Sequence, residues 1–169
     1  MTKKTEFYQD LLAQVKVIIS NETDFIANMA NISALLFDAL TQVNQVGFYR
    51  VVDKELVLGP FQGKIACIRI PLGVGVGVGV CGTAAQRMTT QCIDDVHQFD
   101  GHIACDAVSN SEIVIPVQVN GDTIAVLDID TSGFGRFDRD DQIGLESIVQ
   151  IFEKSLIASE QALEKNQSI

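Results

Sequence analysis

The chain has 169 residues, of which 47% are hydrophobic, and this fits one soluble globular domain with a core of its own. Its formal net charge of -10 argues against binding to nucleic acid, because a phosphate backbone requires a basic patch. No apolar run approaches the roughly eighteen residues needed to cross a bilayer, so we expect no membrane association.

The first residues do not form a secretory signal. Glu6 and Asp10 interrupt the apolar stretch that would have to follow Lys3 and Lys4. We therefore expect a cytoplasmic protein. Glutathione and thioredoxin keep structural disulfides rare in that compartment, so any disulfide between cysteines of this chain should be transient.

Amphipathic helices are predicted at both ends of the chain. Apolar residues recur at helical spacing from Thr5 to Ser20 and from Asp24 to Leu40. Asp138 is the expected N-cap of a last helix, and the chain after Ser159 is a polar tail that we expect to fray. One face of that helix is apolar, at Leu145, Ile148, Val149, Phe152 and Leu156.

The middle of the chain alternates with the period of strands. The predicted strands are 46–52, 55–58, 64–72, 112–119 and 123–130, with a further short strand after Cys92. Asn120-Gly121 predicts a tight hairpin between the last two of them. The order of elements indicates an α+β fold in which helices pack on one mostly antiparallel sheet, and no linker divides it.

Residues 73–79 alternate glycine and valine. A glycine-rich run before a helix can bind phosphate, but this one lacks the Gly-Lys-Ser/Thr ending and the βαβ unit of a P-loop. A mobile loop that carries Cys81 is the preferred interpretation, because glycine tolerates unusual backbone angles.

The four cysteines are the strongest chemical signal. Cys67, Cys81, Cys92 and Cys105 lie more than ten residues apart along the chain, without the spacing of a disulfide framework. All except Cys92 have glycine-rich or turn-forming surroundings, where flexible backbone would let thiols approach one another. This favours redox chemistry, whereas Cys92 is interpreted as a small hydrophobic residue of the sheet.

Three carboxylates form the second candidate group. Asp128 and Asp130 share one face of a strand, and Glu112 begins the strand that pairs with it. Repulsion in a shared pocket would raise at least one pKa and let that carboxyl carry a proton. Spacing alone leaves open the alternative that these acids are solvated strand ends.

Metal binding is disfavoured. The chain has no Cys-x2-4-Cys pair, and His97 and His102 are its only histidines, so no zinc site is expected. A catalytic pair of Cys105 with His102 would lie in a glycine-flanked loop without fixed geometry. His102 is therefore interpreted as a structural or surface residue.

Taken together, several stretches closely resemble the free methionine-(R)-sulfoxide reductases, a stand-alone branch of the GAF-domain fold. They are Gly47-Phe48-Tyr49, the run from Leu56 to Cys67, Val80-Cys81-Gly82-Thr83-Ala84, Gly101-His102-Ile103-Ala104-Cys105-Asp106, Ser111-Glu112-Ile113-Val114 and Val126-Leu127-Asp128-Ile129-Asp130. The resemblance implies a single GAF-type domain over residues 1–169, with an antiparallel sheet of about six strands flanked by helices.

The resemblance also implies roles for these residues. Cys105 would be the nucleophile that attacks the sulfoxide sulfur and becomes a sulfenic acid, Cys67 the resolving thiol, and Cys81 a second relay. A second group would hold the substrate and assist proton delivery to its oxygen: Glu112, Asp128 and Asp130. No cofactor would be bound, and thioredoxin would supply electrons from NADPH.

The implied partners are free methionine sulfoxide and thioredoxin, and the amphipathic end helices are compatible with a homodimer. The sequence departs from the family at Gln45, where relatives have Trp, and in the glycine–valine run, which lengthens the turn before Cys81. Two other functions stay open, namely a GAF domain that senses a small molecule without turnover and an oxidant sensor in which Cys105 reacts with peroxide.

Overall fold

The fold is a six-stranded sheet with helices on both faces, seen in a computed structural model that describes residues 2–103, 105 and 107–167 (backbone alone at 160 and 162–167). The helices are α1 (Lys3–Ile19), α2 (Phe25–Ala39), α3 (Gly79–Arg87) and α4 (Arg139–Gln167), with a 3-10 turn at Val96–Gln98. The strands are β1 (Val43–Val52), β2 (Glu55–Gly63), β3 (Arg69–Pro71), β4 (Gln91–Ile93), β5 (Ser111–Val119) and β6 (Asp122–Thr131).

The sheet has the strand order β3-β2-β1-β6-β5-β4, and every neighbouring pair is antiparallel. This confirms the expected α+β fold with an antiparallel sheet of about six strands. The hairpin between β5 and β6 is also confirmed: Asn120 and Gly121 both have positive φ, 53° and 90°, as a two-residue hairpin turn requires. A register shift between Val117 and Gln118 separates this turn from the part of the two strands that carries the carboxylates.

Helices α1, α2 and α4 cover one face of the sheet. Their N-termini are capped by Thr2, Asp24 and Asp138, whose side chains accept hydrogen bonds from backbone N–H groups of the first turn. The core beneath them is continuous and includes Phe48, Leu127 and Phe152, each 1% exposed or less. No described helix is both long enough and apolar enough to cross a membrane.

The opposite face is covered by α3 and by loops. Its smaller apolar cluster includes Tyr49, Val80, Val114 and Val126. Successive residues of one strand therefore supply opposite faces, so that Leu127 and Ile129 enter the three-helix core while Asp128 and Asp130 point toward α3.

Two predicted segments are corrected by the structure. The predicted strand 64–72 forms only as Arg69–Pro71, and the segment before it leaves the sheet with Ile65 90% exposed. Cys81 lies on a helix and not on a mobile loop. The sequence of helix α3 has no apolar periodicity that would predict a helix, because the helix packs through small residues such as Gly82. A Cβ at Gly82 would lie 2.2 Å from the Pro71 carbonyl oxygen, so only glycine allows this close approach.

The C-terminal region extends the last helix. Helix α4 runs through Gln167, so the backbone after Ser159 is helical. Residues 168 and 169 lie outside the described residues, and fraying of the polar tail stays a prediction.

Candidate active site

A disulfide joins Cys67 to Cys105, with a Cα–Cα distance of 5.2 Å across 38 residues of sequence. Cys67 lies in the segment between β2 and β3, where Tyr49 donates a hydrogen bond from its hydroxyl to the Cys67 carbonyl (3.0 Å). Cys105 lies in the loop before β5, and its motif neighbours Ala104 and Asp106 fall outside the described residues. These are the two cysteines that the family resemblance pairs.

Cys81 and Cys92 are the free cysteines of the described chain. Cys81 is 3% exposed on α3, and its Sγ lies 3.9 Å from Oε1 of Glu112. Burial raises the pKa of the Cys81 thiol, and the charges of Asp128 and Glu112 raise it further. Cys92 lies in β4 as expected, but its side chain is exposed, because β4 is an edge strand.

The carboxylates meet across β5 and β6. Glu112 lies opposite Asp130 in the strand register, and Asp128 is the next residue of β6 on the same face. Glu112 and Asp128 are 6% and 4% exposed, whereas Asp130 is half-buried. Glu112 and Asp128 are therefore not solvated strand ends, which excludes that alternative for these two acids.

Burial controls the charge of the two inner carboxyls. Loss of solvation is the main cause that raises the pKa of Glu112 well above its usual value, followed by the charges of Asp128 and Asp130. Burial likewise raises the pKa of Asp128 to about 6, although hydrogen bonds with Glu112 and Cys81 oppose the shift. The raised pKa values let the pair keep a proton at a higher pH than solvated carboxyls would, which favours general acid catalysis.

Asp128 keeps one hydrogen-bonding position open. Its Oδ1 atom is buried and has no hydrogen-bond partner among the described residues. A buried carboxylate oxygen without a partner is costly, so a ligand that supplied a donor here would be favoured.

A cavity connects the acids with the disulfide. Its walls include Cys105, Glu112, Asp128 and Asp130, together with Ile70, Gly79, Val80, Cys81, His102, Ile103 and Ser109. The space open to the centre of a water-sized sphere is about 20 Å³, room for about one water molecule. With the disulfide formed, this space does not hold a ligand larger than water.

Sequence reasoning missed some residues of the site. His102 lines the cavity, with a buried Nδ1 that has no partner within the described part of the chain. Burial and the nearby His97 lower the pKa of His102, so it is neutral at pH 7. Tyr49 was also missed, although it lies on the acid side of the sheet and its pKa is raised by burial and by Asp128. No spacing signal could have found either position.

The two positions at which the sequence was expected to depart from the family resemblance lie beside the site. Gln45 is 3% exposed and is paired with Asp130 across β1 and β6, so a polar row of Gln45, Asp130 and Glu112 crosses three strands. The glycine–valine run packs on the Cys105 loop, since Gly79 donates a backbone hydrogen bond to the Gly101 carbonyl (3.0 Å).

One group of described residues has the spacing of metal ligands. Donor atoms of Cys81, Glu112 and Asp128 all lie within 4.8 Å of one another. The group contains neither histidine, so it is not the Cys/His zinc site weighed from the sequence, and the same atoms form the acid wall of the cavity.

Comparisons with known proteins place this geometry in a family. The free methionine-R-sulfoxide reductase of Escherichia coli is 55% identical over 157 residues, 93% of this chain and 93% of that protein. The chain belongs to the free methionine-R-sulfoxide reductase family. No protein-family model matches the chain.

Solved structures agree with this assignment. The free methionine-R-sulfoxide reductase of Neisseria meningitidis, solved with its substrate, is 41% identical with a TM-score of 0.87, covering 96% of this chain and 95% of that one. A solved GAF domain is 38% identical with a TM-score of 0.84, covering 90% of this chain and 88% of that one. The predicted GAF fold is thereby confirmed.

Proposed function

We propose that this chain reduces free L-methionine (R)-sulfoxide to methionine, through a cysteine sulfenic acid and an intramolecular disulfide. The observation that carries the proposal is the disulfide of Cys67 and Cys105 beside buried carboxylates in one cavity. The E. coli relative, 55% identical, supports the choice of substrate by its name.

The first step transfers oxygen to Cys105. Its thiolate attacks the sulfoxide sulfur while the buried carboxyl pair of Glu112 and Asp128 delivers a proton to the oxygen, which is otherwise a poor leaving group. The hydroxyl then passes from the methionine sulfur to the Cys105 sulfur: the sulfoxide S–O bond and the transient S–S bond break, an S–O bond to Cys105 forms, and methionine leaves. The methionine sulfur gains two electrons, Cys105 loses two, and the oxygen ends on Cys105 as a sulfenic acid. The raised pKa values of both carboxyls support this role.

The second step closes the disulfide. The Cys67 thiol attacks the sulfenic sulfur of Cys105, so that an S–S bond forms, the S–O bond breaks and water leaves. The 5.2 Å separation of the two Cα atoms supports Cys67 as the resolving residue.

The same acids suit a free amino acid. We assign the ammonium group of the substrate to the carboxylate wall, with Asp130 at its half-buried end and the open Oδ1 of Asp128 within it. A peptide-bound methionine lacks this charge and would leave a buried carboxylate without a partner, a loss that polar sites reject strongly.

The role of Cys81 as a second relay stays a prediction. Its burial and raised pKa favour a different contribution while the Cys67–Cys105 disulfide is formed. As a neutral thiol it can donate a weak hydrogen bond to Glu112, which helps to orient that carboxyl.

Thioredoxin, reduced with electrons from NADPH, is the proposed reductant, and the step itself requires no bound cofactor. A cytoplasmic location would supply that dithiol. A homodimer is also proposed, supported by the partly exposed Phe25, Ile26 and Phe37 of α2.

The test is an NADPH-coupled assay with thioredoxin and thioredoxin reductase. We expect turnover of the R epimer of free methionine sulfoxide, and neither of the S epimer nor of the N-acetylated R epimer. Tight binding of the substrate without turnover would favour the sensor, and oxidation by peroxide alone at a faster rate would favour the oxidant sensor. Comparable rates on the acetylated compound would exclude a site for the free amino acid.

A further inference from the structure

The disulfide has two chemically different sides. Cys105 lines the cavity with Glu112, Asp128 and Asp130, whereas Cys67 is not part of the cavity wall. A reducing thiolate that approached Cys105 through the cavity would meet carboxylates and a space of about 20 Å³. Cys67 is half-buried and lies outside that wall of carboxylates.

Exposed apolar side chains surround that outer approach. Ile65 and Ile68 lie within two residues of Cys67 and are 90% and 71% exposed. Val74 and Val76 are 55% and 86% exposed on the glycine–valine run, which packs on the Cys105 loop at Gly101. Four such side chains, two on the Cys67 segment and two on a run that packs on the Cys105 loop, are typical of an interaction surface.

The charge beside this surface differs from that of the whole chain. Residues 64–69 contain two basic residues, Lys64 and Arg69, and no acidic one, although the net charge of the chain is -10. Arg69 is paired with Glu55 at 2.8 Å, while Lys64 is exposed. Asp100 is exposed beside Gly101, so charges of both signs border the surface and its shared feature is the set of exposed apolar side chains. A partner with an apolar contact surface fits it.

We propose that Ile65, Ile68, Val74 and Val76, the disulfide rim, form the docking surface for a protein dithiol with an apolar rim around its own attacking cysteine. This deepens the proposed function, on which it rests. The thiolate of the partner attacks Sγ of Cys67, and Cys105 leaves as a thiolate, its reactive form. The second thiol of the partner then breaks the mixed disulfide, and two electrons have passed from partner to chain.

The test separates docking from chemistry. The full-length chain is oxidised with diamide, and its reduction by thioredoxin or by dithiothreitol is followed through the release of thiols. We expect the double variant Ile65→Ser/Ile68→Ser to lower the rate constant with thioredoxin about tenfold. The rate with dithiothreitol should not change, because a small thiol needs no docking surface.

Val17→Ser is the matched control, since Val17 is 76% exposed on α1, on the opposite face of the sheet. An equal loss with both reductants would overturn the proposal, and so would no loss with either. Sedimentation gives an independent outcome: if the double variant changes only the oligomeric state, the rim is an interface between copies of the chain.

The site of attack has its own readout. A thioredoxin whose second active-site cysteine is replaced by Ser should be trapped on Cys67, as shown by peptide mapping, whereas trapping on Cys105 would overturn the direction of attack. Because diamide replaces the substrate, all these outcomes are measurable even if the chain fails to reduce methionine sulfoxide. Failure of the proposed function and failure of the docking surface are therefore distinguishable.

Discussion

The two faces of the sheet make different contributions. Under α1, α2 and α4 lies a continuous apolar core, in which Leu127, Ile129 and Phe152 are fully buried. Under the nine-residue helix α3 lie buried carboxyls, a buried thiol and the disulfide. One strand, β6, supplies both faces, so a shift of one residue in its register would exchange acids for core.

One face of the sheet stabilises the fold and the other face carries the reactive groups. Apolar burial on the three-helix face stabilises the fold, whereas desolvated carboxyls on the α3 face oppose it. Among the described residues, the three-helix face has one buried acid, and its surroundings differ from those of Asp128. Asp141 is 1% exposed, but it accepts hydrogen bonds from Tyr8, Lys4 and Arg136, whereas Asp128 leaves one oxygen without a partner among the described residues.

The largest effect that tests this difference between the two faces should come from removing the nucleophile. Cys105→Ser should reduce turnover by at least about a thousandfold, because it removes the group that bonds to the sulfoxide sulfur. Its thermal midpoint in reducing buffer should match that of the parent. Cys92→Ser is the control, since Cys92 is exposed on the edge strand, and equal activity losses in the two variants would contradict the assignment of Cys105.

The next largest effect should arise on the other face. Phe152 is fully buried and its ring makes an edge contact with Phe48, with centroids 5.7 Å apart. Phe152→Ala should lower the free energy of unfolding by about 3–5 kcal/mol, measured by urea denaturation. At a temperature where the variant is still folded, kcat should remain within about twofold of the parent, and a selective loss of kcat would show that the faces are coupled.

The carboxyl variants should change activity by an intermediate amount. Glu112→Gln, Asp128→Asn and Asp130→Asn each remove a charge or a proton from the cavity wall. We expect each to lower kcat/KM by about one to two decades, the value of a lost charge-assisted hydrogen bond of about 1.5–3 kcal/mol. Steady-state kinetics that leave all three within twofold of the parent would remove the acids from the mechanism.

The position of the acids on two neighbouring strands could be predicted from the sequence, whereas the helix that buries them could not. Asn120-Gly121 predicts a two-residue turn that pairs Val119 with Asp122, but that register continued unchanged would place Glu112 opposite Ile129. A shift of one residue between Val117 and Gln118 places Glu112 opposite Asp130 instead. The burial of these acids could not be predicted in the same way. It depends on α3, whose Gly82, Thr83 and Ala84 carry no helical apolar pattern because they fit closely against the sheet.

Around Cys67 the sequence predicted burial where the structure shows exposure. Ile65 and Ile68 have the residue type of a buried strand, yet both are exposed, and their segment is held by the disulfide and by hydrogen bonds at Cys67 and Ile68. Local patterning cannot reveal a constraint that comes from a residue 38 positions away. The pairing of the cysteines was accessible only through the family resemblance.

The last predicted effect, similar in size to that of the carboxyl variants on activity, is on stability against pH. Asp128 has a pKa of about 6 in the folded chain, above the value of about 4 of an unfolded carboxyl, so its protonated form stabilises the fold. That stabilisation is complete below pH 4 and is lost as the pH rises through 6. Relative to the parent, Asp128→Asn should therefore gain about 2–3 kcal/mol of unfolding free energy between pH 4 and pH 8.

Urea denaturation across this pH range measures the difference. Asp122→Asn is the control, because Asp122 lies exposed at the start of the same strand. If the difference in unfolding free energy between Asp128→Asn and the parent stays constant with pH, the pKa of Asp128 is not raised by burial.

The most direct test of the central claim is a single turnover without a reductant. The reduced chain is mixed with free methionine (R)-sulfoxide, and methionine, thiols and peptide linkages are quantified. We predict one methionine formed and two thiols lost per chain, with Cys67 joined to Cys105. Four remaining thiols and no methionine, or a linkage of Cys81 to Cys105 alone, would contradict the account.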